Sequence, residues 1–141
     1  MLNLLRTVSI FMCLVTCSNI ANATARNDLG PHLSGTWEMV RSDGFLERLT
    51  MTWSATREQG RFTNVKIYNG RQVERLSGRW TIRSNPLLRP ESRTQLHLVW
   101  DDPRWGRRNR KLAIRRVTTQ QLKFANILNS AEIITFRRIS E

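Results

Sequence analysis

The sequence predicts an all-β protein: an up-and-down antiparallel β-barrel of about eight strands, preceded by a signal peptide. From Ser34 onward, short runs in which every second residue is apolar end at Gly, Asn, Pro or Thr-rich breaks. A half-buried strand has this period because its side chains alternate between the two faces of a sheet. Leu49, Met51, Trp53 and Ala55 make one such face; Leu76, Trp80 and Ile82 make another; Leu96, Leu98 and Trp100 make a third. No segment after the N-terminus has the period of a long helix. A meander with one apolar face hides it by curling into a barrel or stacking as a sandwich.

Met1 to Arg6 is a short basic lead, and Thr7 to Thr16 is an apolar run well under the roughly 20 residues that a membrane-crossing helix needs. The pattern is that of a secretory leader. Ala21-Asn22-Ala23 places small residues where a signal peptidase cuts, giving a leader at 1–23 and a flexible N-terminal tether at 24–33 before the barrel domain at 34–141. A second processing route stays open, because Leu14-Val15-Thr16-Cys17 resembles a lipobox in which Cys17 is lipidated, although Thr16 stands where a smaller residue is usual. The expected location is secreted or periplasmic, or lipid-anchored at the envelope under the second route. Both cysteines, Cys13 and Cys17, fall in the leader, so no disulfide staples the domain. The roughly 110 residues that follow suffice for one core.

In order, the first strand is expected at Ser34–Arg41, ended by Ser42-Asp43-Gly44, with Phe45–Arg48 as one helical turn before a strand at Leu49–Ala55. Thr56–Gly60 turns into Arg61–Tyr68, where the step from Phe62 to Val65 breaks the period and predicts a bulge. Asn69-Gly70 is the clearest hairpin signal, because both residues tolerate the positive φ of a type I′ turn. Strands follow at Gln72–Arg83, Thr94–Trp100, Arg110–Val117, Gln121–Leu128 and Ala131–Ile139, separated by a Pro-containing loop at Ser84–Ser92 and another at Asp101–Arg108. The last strand has two readings: Ile134 and Phe136 put Arg138 inside, whereas Ile133 and Ile139 support the opposite phase. If Leu112 and Ile114 face inward, Arg110 and Arg116 share their face.

The formal net charge is +12, and the cations are overwhelmingly arginine, which forks onto carboxylates and phosphates and stacks on aromatic rings. Such an excess favours anionic partners; it also fits a solvated outer face written in arginine by a GC-rich genome.

Leu33-Ser34-Gly35-Thr36-Trp37-Glu38-Met39-Val40 resembles the Gly-x-Trp opening of the calycins, the group that includes lipocalins and fatty-acid-binding proteins. Leu76-Ser77-Gly78-Arg79-Trp80-Thr81-Ile82, Val117 to Phe124 and Ile134-Thr135-Phe136-Arg137-Arg138 are similar to later parts of small bacterial lipocalin-like domains. The resemblance implies a barrel in which Trp37 packs across the closed end, with Gly35, Gly78 and Trp80 as structural positions. No Thr-Asp-Tyr segment stands between the sixth and seventh strands and no C-terminal helix is expected, so the resemblance implies the barrel and no particular ligand.

In such a barrel alternate connections share a rim, which gathers the turns at 42–48, 69–70, 101–108 and 129–130. The resemblance puts the mouth there. The expected ligand-binding residues are Arg48, Arg71, Trp100, Arg104, Trp105, Arg107, Arg108, Arg110 and Arg138, suited to a small amphiphile with an acidic head. Two other readings stand beside this one. In one, the rim is a solvated loop over a solid core. In the other, the Arg/Trp run at 104–111 is a basic surface module for polyanions, anionic lipid or an acidic protein. Secretion argues against an intracellular nucleic-acid target, and a monomer is expected.

No catalytic constellation stands out. His32 and His97 lack metal-ligand neighbours at useful spacing, Asp101-Asp102 before Pro103 reads as a turn, and no nucleophile or phosphate-loop motif occurs. No enzyme activity, metal or cofactor is expected.

Overall fold

Alternation along the chain becomes one continuous sheet in the computed structural model, which describes residues 29–102, 109–127 and 131–140. The eight strands are β1 (Gly35–Val40), β2 (Leu46–Ser54), β3 (Gln59–Tyr68), β4 (Arg71–Ser84), β5 (Thr94–Trp100), β6 (Asn109–Val117), β7 (Gln121–Asn126) and β8 (Ile133–Ser140). Each pairs antiparallel with the next and β8 pairs with β1, closing the barrel. Where β1 and β8 pair, closure removes the sheet edge that would template association.

Asn69 and Gly70 both have positive φ, at 49° and 73°, and join β3 to β4 as their side chains predict. The bulges fall elsewhere than expected. β3 runs in unbroken register against β2, with Met51 opposite Phe62 and Leu49 opposite Asn64. The period breaks at Phe62 to Val65 because a polar residue, Asn64, takes an inward position. The irregularities sit at Val73, between the pairs Lys66–Glu74 and Ile67–Gln72, at Arg115, between Ile114–Phe124 and Arg116–Lys123, and at Ile139, between Thr36–Ser140 and Trp37–Arg138. The second bulge turns Arg116 out to solvent, while Arg110 keeps the face of Leu112.

The inner face holds Trp37, Met51, Phe62, Trp80, Leu96, Leu122 and Phe124, all essentially inaccessible to solvent. Two glycines make room for the rings. A Cβ on Gly60 would collide with the Thr52 carbonyl and the Trp80 indole, and one on Gly78 would meet the Val99 carbonyl and lie 2.8 Å from the Phe62 ring. Trp53 packs on Trp80 with centroids 5.0 Å apart, and the Trp80 indole donates to the Arg61 carbonyl at 3.0 Å. Burying a large ring with its N–H satisfied gives the area gain without the desolvation penalty.

Residues 29–33 are helical, where a flexible tether was expected. Leu33 is fully buried, Leu29 packs on the core, and the Leu33 carbonyl accepts from the Trp37 indole at 2.9 Å. The turn plugs the end of the barrel because it offers apolar side chains to Trp37 and Trp53, with Gly30 directly beneath the Trp53 ring. The leader, the cleavage site and Cys17 lie outside the described residues.

A second departure concerns Phe45–Arg48. Instead of a helical turn, Arg41 N–H donates to the Phe45 carbonyl at 2.8 Å and β2 begins at Leu46, so Glu47 enters the barrel in phase with Leu49 and Met51. At the closing seam only Thr36, Trp37 and Glu38 pair with β8. Beyond Glu38 the two strands no longer pair, and Val40 is 78% exposed.

Candidate functional site

Among the described residues, the interior is not filled at the end of the barrel where β1 turns into β2 and β3 into β4. A cavity of about 340 Å³ opens there, lined by side chains of all the strands except β4. Its floor and walls are apolar: Leu49, Phe62, Leu96, Leu98, Leu112, Phe124, Ile134 and Phe136. Trp100 forms part of the wall, edge-on to Phe62 with centroids 5.9 Å apart. The opposite end is solid, because Trp37, Trp53, Trp80, Leu33 and Leu122 occupy it. The taper follows from side-chain size, the indoles lying at one end and shorter residues at the other.

Polar groups enter the cavity at two places. On one side Arg41 donates to the Glu47 carboxylate at 2.8 Å and to Asp43 at 3.1 and 3.2 Å. Hydrogen bonds to Asp43 and then Glu47 raise the Arg41 pKa above its ordinary value, and the Arg41 guanidinium holds the Asp43 carboxyl below the usual carboxylate range. Glu47 is only 8% exposed, and Asn64 Nδ2 donates to its other oxygen at 3.5 Å. Lys66, opposite Glu47 in the register, is taken by Glu74 instead. Across the cavity stands Arg110, exposed and without an ion pair or side-chain hydrogen bond among the described residues. Glu132 also lines the cavity, and Asn126 Nδ2 donates to it at 3.2 Å.

Of the residues read from the sequence as binding positions, Trp100 and Arg110 line this cavity. Arg48 does not, since it lies on the outer face and donates to Glu38 at 2.6 and 2.8 Å. The reason is phase: Arg48 alternates with Glu47 and Leu49, which point in. Arg71 is exposed beside the hairpin and is not part of the lining. Arg104, Trp105, Arg107 and Arg108 lie outside the described residues.

Arg138 does face inward with Ile134 and Phe136, but at the closed end. Its guanidinium carbon sits 4.2 Å from the centroid of the Trp37 ring and Nη2 donates to the His32 carbonyl at 3.0 Å. A Cβ on Gly35 would lie 2.5 Å from Arg138 Nη1, so the glycine leaves space for this cation. Arg138 needs no carboxylate there because an indole face and a carbonyl supply the negative potential. It is therefore a packing residue, remote from the cavity.

Arg41, Glu47, Asn64 and Glu132 were not among the expected site residues. Extending the inward phase of Leu49, Met51 and Trp53 back by one step would have reached Glu47, and extending it from Phe62 forward would have reached Asn64. Asp101, read as part of a turn, pairs with Arg61 at 2.5 Å on the outside. His97 also faces out, where burial first, then Lys111 and Arg83, hold its pKa below the usual imidazole value.

Among the described residues no group of three or more His, Cys, Asp or Glu could hold a metal ion, and no helix is long and apolar enough to cross a membrane. Comparison with protein-family models, curated proteins and solved structures found no match to this chain.

Proposed function

We propose that this chain is a lipocalin-like binding protein of the calycin group, secreted or held at the cell envelope, that takes a small amphiphile into its cavity. The single observation that carries the reading is the asymmetry of the barrel. One end is packed shut by tryptophans, and the other opens as an apolar cavity of about 340 Å³ with Arg110, unpaired among the described residues, on its wall. That volume lies near the lower end of the roughly 300–1,000 Å³ common for small-molecule sites, which suits one short hydrocarbon tail. The tail displaces water from Phe62, Leu96, Leu98, Phe124 and Phe136, and each buried methylene contributes about 0.8 kcal/mol. An acidic head meets Arg110, whose guanidinium forks onto a carboxylate or phosphate. The protein acts by holding its ligand, without chemical change and without a cofactor. The basic leader and the apolar run after it support the secreted or envelope location.

Calorimetric titration with dodecanoic acid tests the reading. The protein is expected to bind it, with an affinity that changes little between low and high salt, because most of the free energy is burial. Arg110→Gln is expected to weaken binding about tenfold, the loss of one charge-assisted hydrogen-bonding group. Absence of binding, together with salt-sensitive retention on heparin, would overturn this reading in favour of a basic surface module.

A further inference from the structure

Asn64 carries information about the ligand that the apolar lining does not. Its side chain stands in the cavity wall, one inward position above Phe62 and opposite Leu49. The Glu47 carboxylate fixes its amide: Nδ2 donates to Glu47 at 3.5 Å, and the flipped amide would set oxygen against oxygen. Oδ1 is left with no partner and is closed off from solvent, so a ligand meets it once the Asn64 side chain turns toward the cavity. Beside it, the Glu47 oxygen that Asn64 reaches is held only by that long contact, since Arg41 engages the other oxygen. Arg41 is shared with Asp43, and Lys66 is engaged by Glu74, so neither cation answers this oxygen. A buried acceptor of this kind destabilises the site until it is satisfied.

The charges lining the cavity point the same way. Arg41 and Arg110 are balanced there by Glu47 and Glu132, although the chain as a whole carries +12. A site for a plain anion would not set a buried carboxylate and an unfilled amide oxygen into its wall. Building on the amphiphile reading, we infer that the ligand's head carries a hydrogen-bond donor, an ammonium or a hydroxyl, beside its acidic group, and that Asn64 Oδ1 with Glu47 selects for it. Arg110 reads the acid and the Asn64–Glu47 pair reads the donor, so an amphiphile lacking the donor leaves the acceptors desolvated and unpaired. An ammonium gains additionally from the Glu47 charge.

Three probes with the same chain length separate these possibilities: dodecanoic acid, α-hydroxydodecanoic acid and α-aminododecanoic acid. The full chain is expected to bind the amino acid about tenfold more tightly than dodecanoic acid, with the hydroxy acid between them. Asn64→Leu, of similar volume, is expected to bring the three affinities to within about threefold of one another, with an unchanged circular dichroism spectrum. Should that variant fail to fold, the ranking of the probes by the unaltered protein decides alone. Equal binding of all three, or a preference that survives Asn64→Leu, overturns the selection inference and leaves the amphiphile reading standing. Failure to bind any of the three overturns both.

Discussion

Two inward-facing polar residues at opposite ends of the barrel have opposite roles because of what surrounds them. Arg138 meets an indole face and a carbonyl at the closed end and leaves only its Nε unpaired, whereas Asn64 keeps an unanswered oxygen at the open end. Replacing Arg138 with Met keeps the aliphatic stem over Trp37 and removes the cation. The expected loss is about 1–2 kcal/mol in urea unfolding, from the ring contact and the hydrogen bond to His32. The buried, unpaired Nε of Arg138 offsets part of that contribution and keeps the figure modest. Dodecanoic acid binding is expected to be unchanged, since the residue lies away from the cavity. The sequence carried the inwardness of Arg138 only as one of two phases, because Ile133 and Ile139 argue as strongly as Ile134 and Phe136. The bulk of the barrel decides between them, leaving Ile133 and Ile139 about half exposed at 50% and 46%. Asn64 was less legible still: a polar residue at an inward position looks, in one dimension, like a bulge.

At the scale of elements, alternation predicts where each strand runs and fails at the two places where tertiary contacts override it. The β3–β4 and β4–β5 connections needed no such correction in kind, because Asn69-Gly70 and the prolines of 84–93 mark them locally. The start of β2 was hidden by Glu47, whose inward position depends on Arg41 across the turn. The plug at 29–33 was hidden because a single helical turn has no period to detect, and it forms only against Trp37 and Trp53. Its contribution can be measured. Leu33 is completely buried, so Leu33→Ala is expected to destabilise the protein by about 2–4 kcal/mol, read as a lowered urea midpoint with little change in slope. A loss below about 0.5 kcal/mol would mean that the turn rests on the barrel without closing it.

For the whole molecule, one apolar face on every strand was readable and called for a barrel or a sandwich, and the pairing of β8 with β1 decides for the barrel. The cavity was not, since it depends on how side-chain volume is distributed along the barrel axis: indoles at one end, and Leu, Phe and a few polar groups at the other. The arginine excess had suggested a cationic mouth. Among the described residues, several arginines at or near that rim are already engaged: Arg41 by Asp43 and Glu47, Arg48 by Glu38, and Arg61 by Asp101. Exposed pairs of this kind add little stability, but they leave Arg110 as the cation on the cavity wall that is free to meet a ligand. The central claim is that hydrocarbon enters this cavity from the open end. Isotope-filtered NOE spectroscopy on the labelled protein with unlabelled dodecanoic acid tests it most directly. Contacts are expected from the tail protons to the rings of Phe62, Phe124 and Phe136, with Trp37 and Trp80 silent. Contacts confined to outward residues such as His97 and Arg79, or none at saturating ligand, would contradict it.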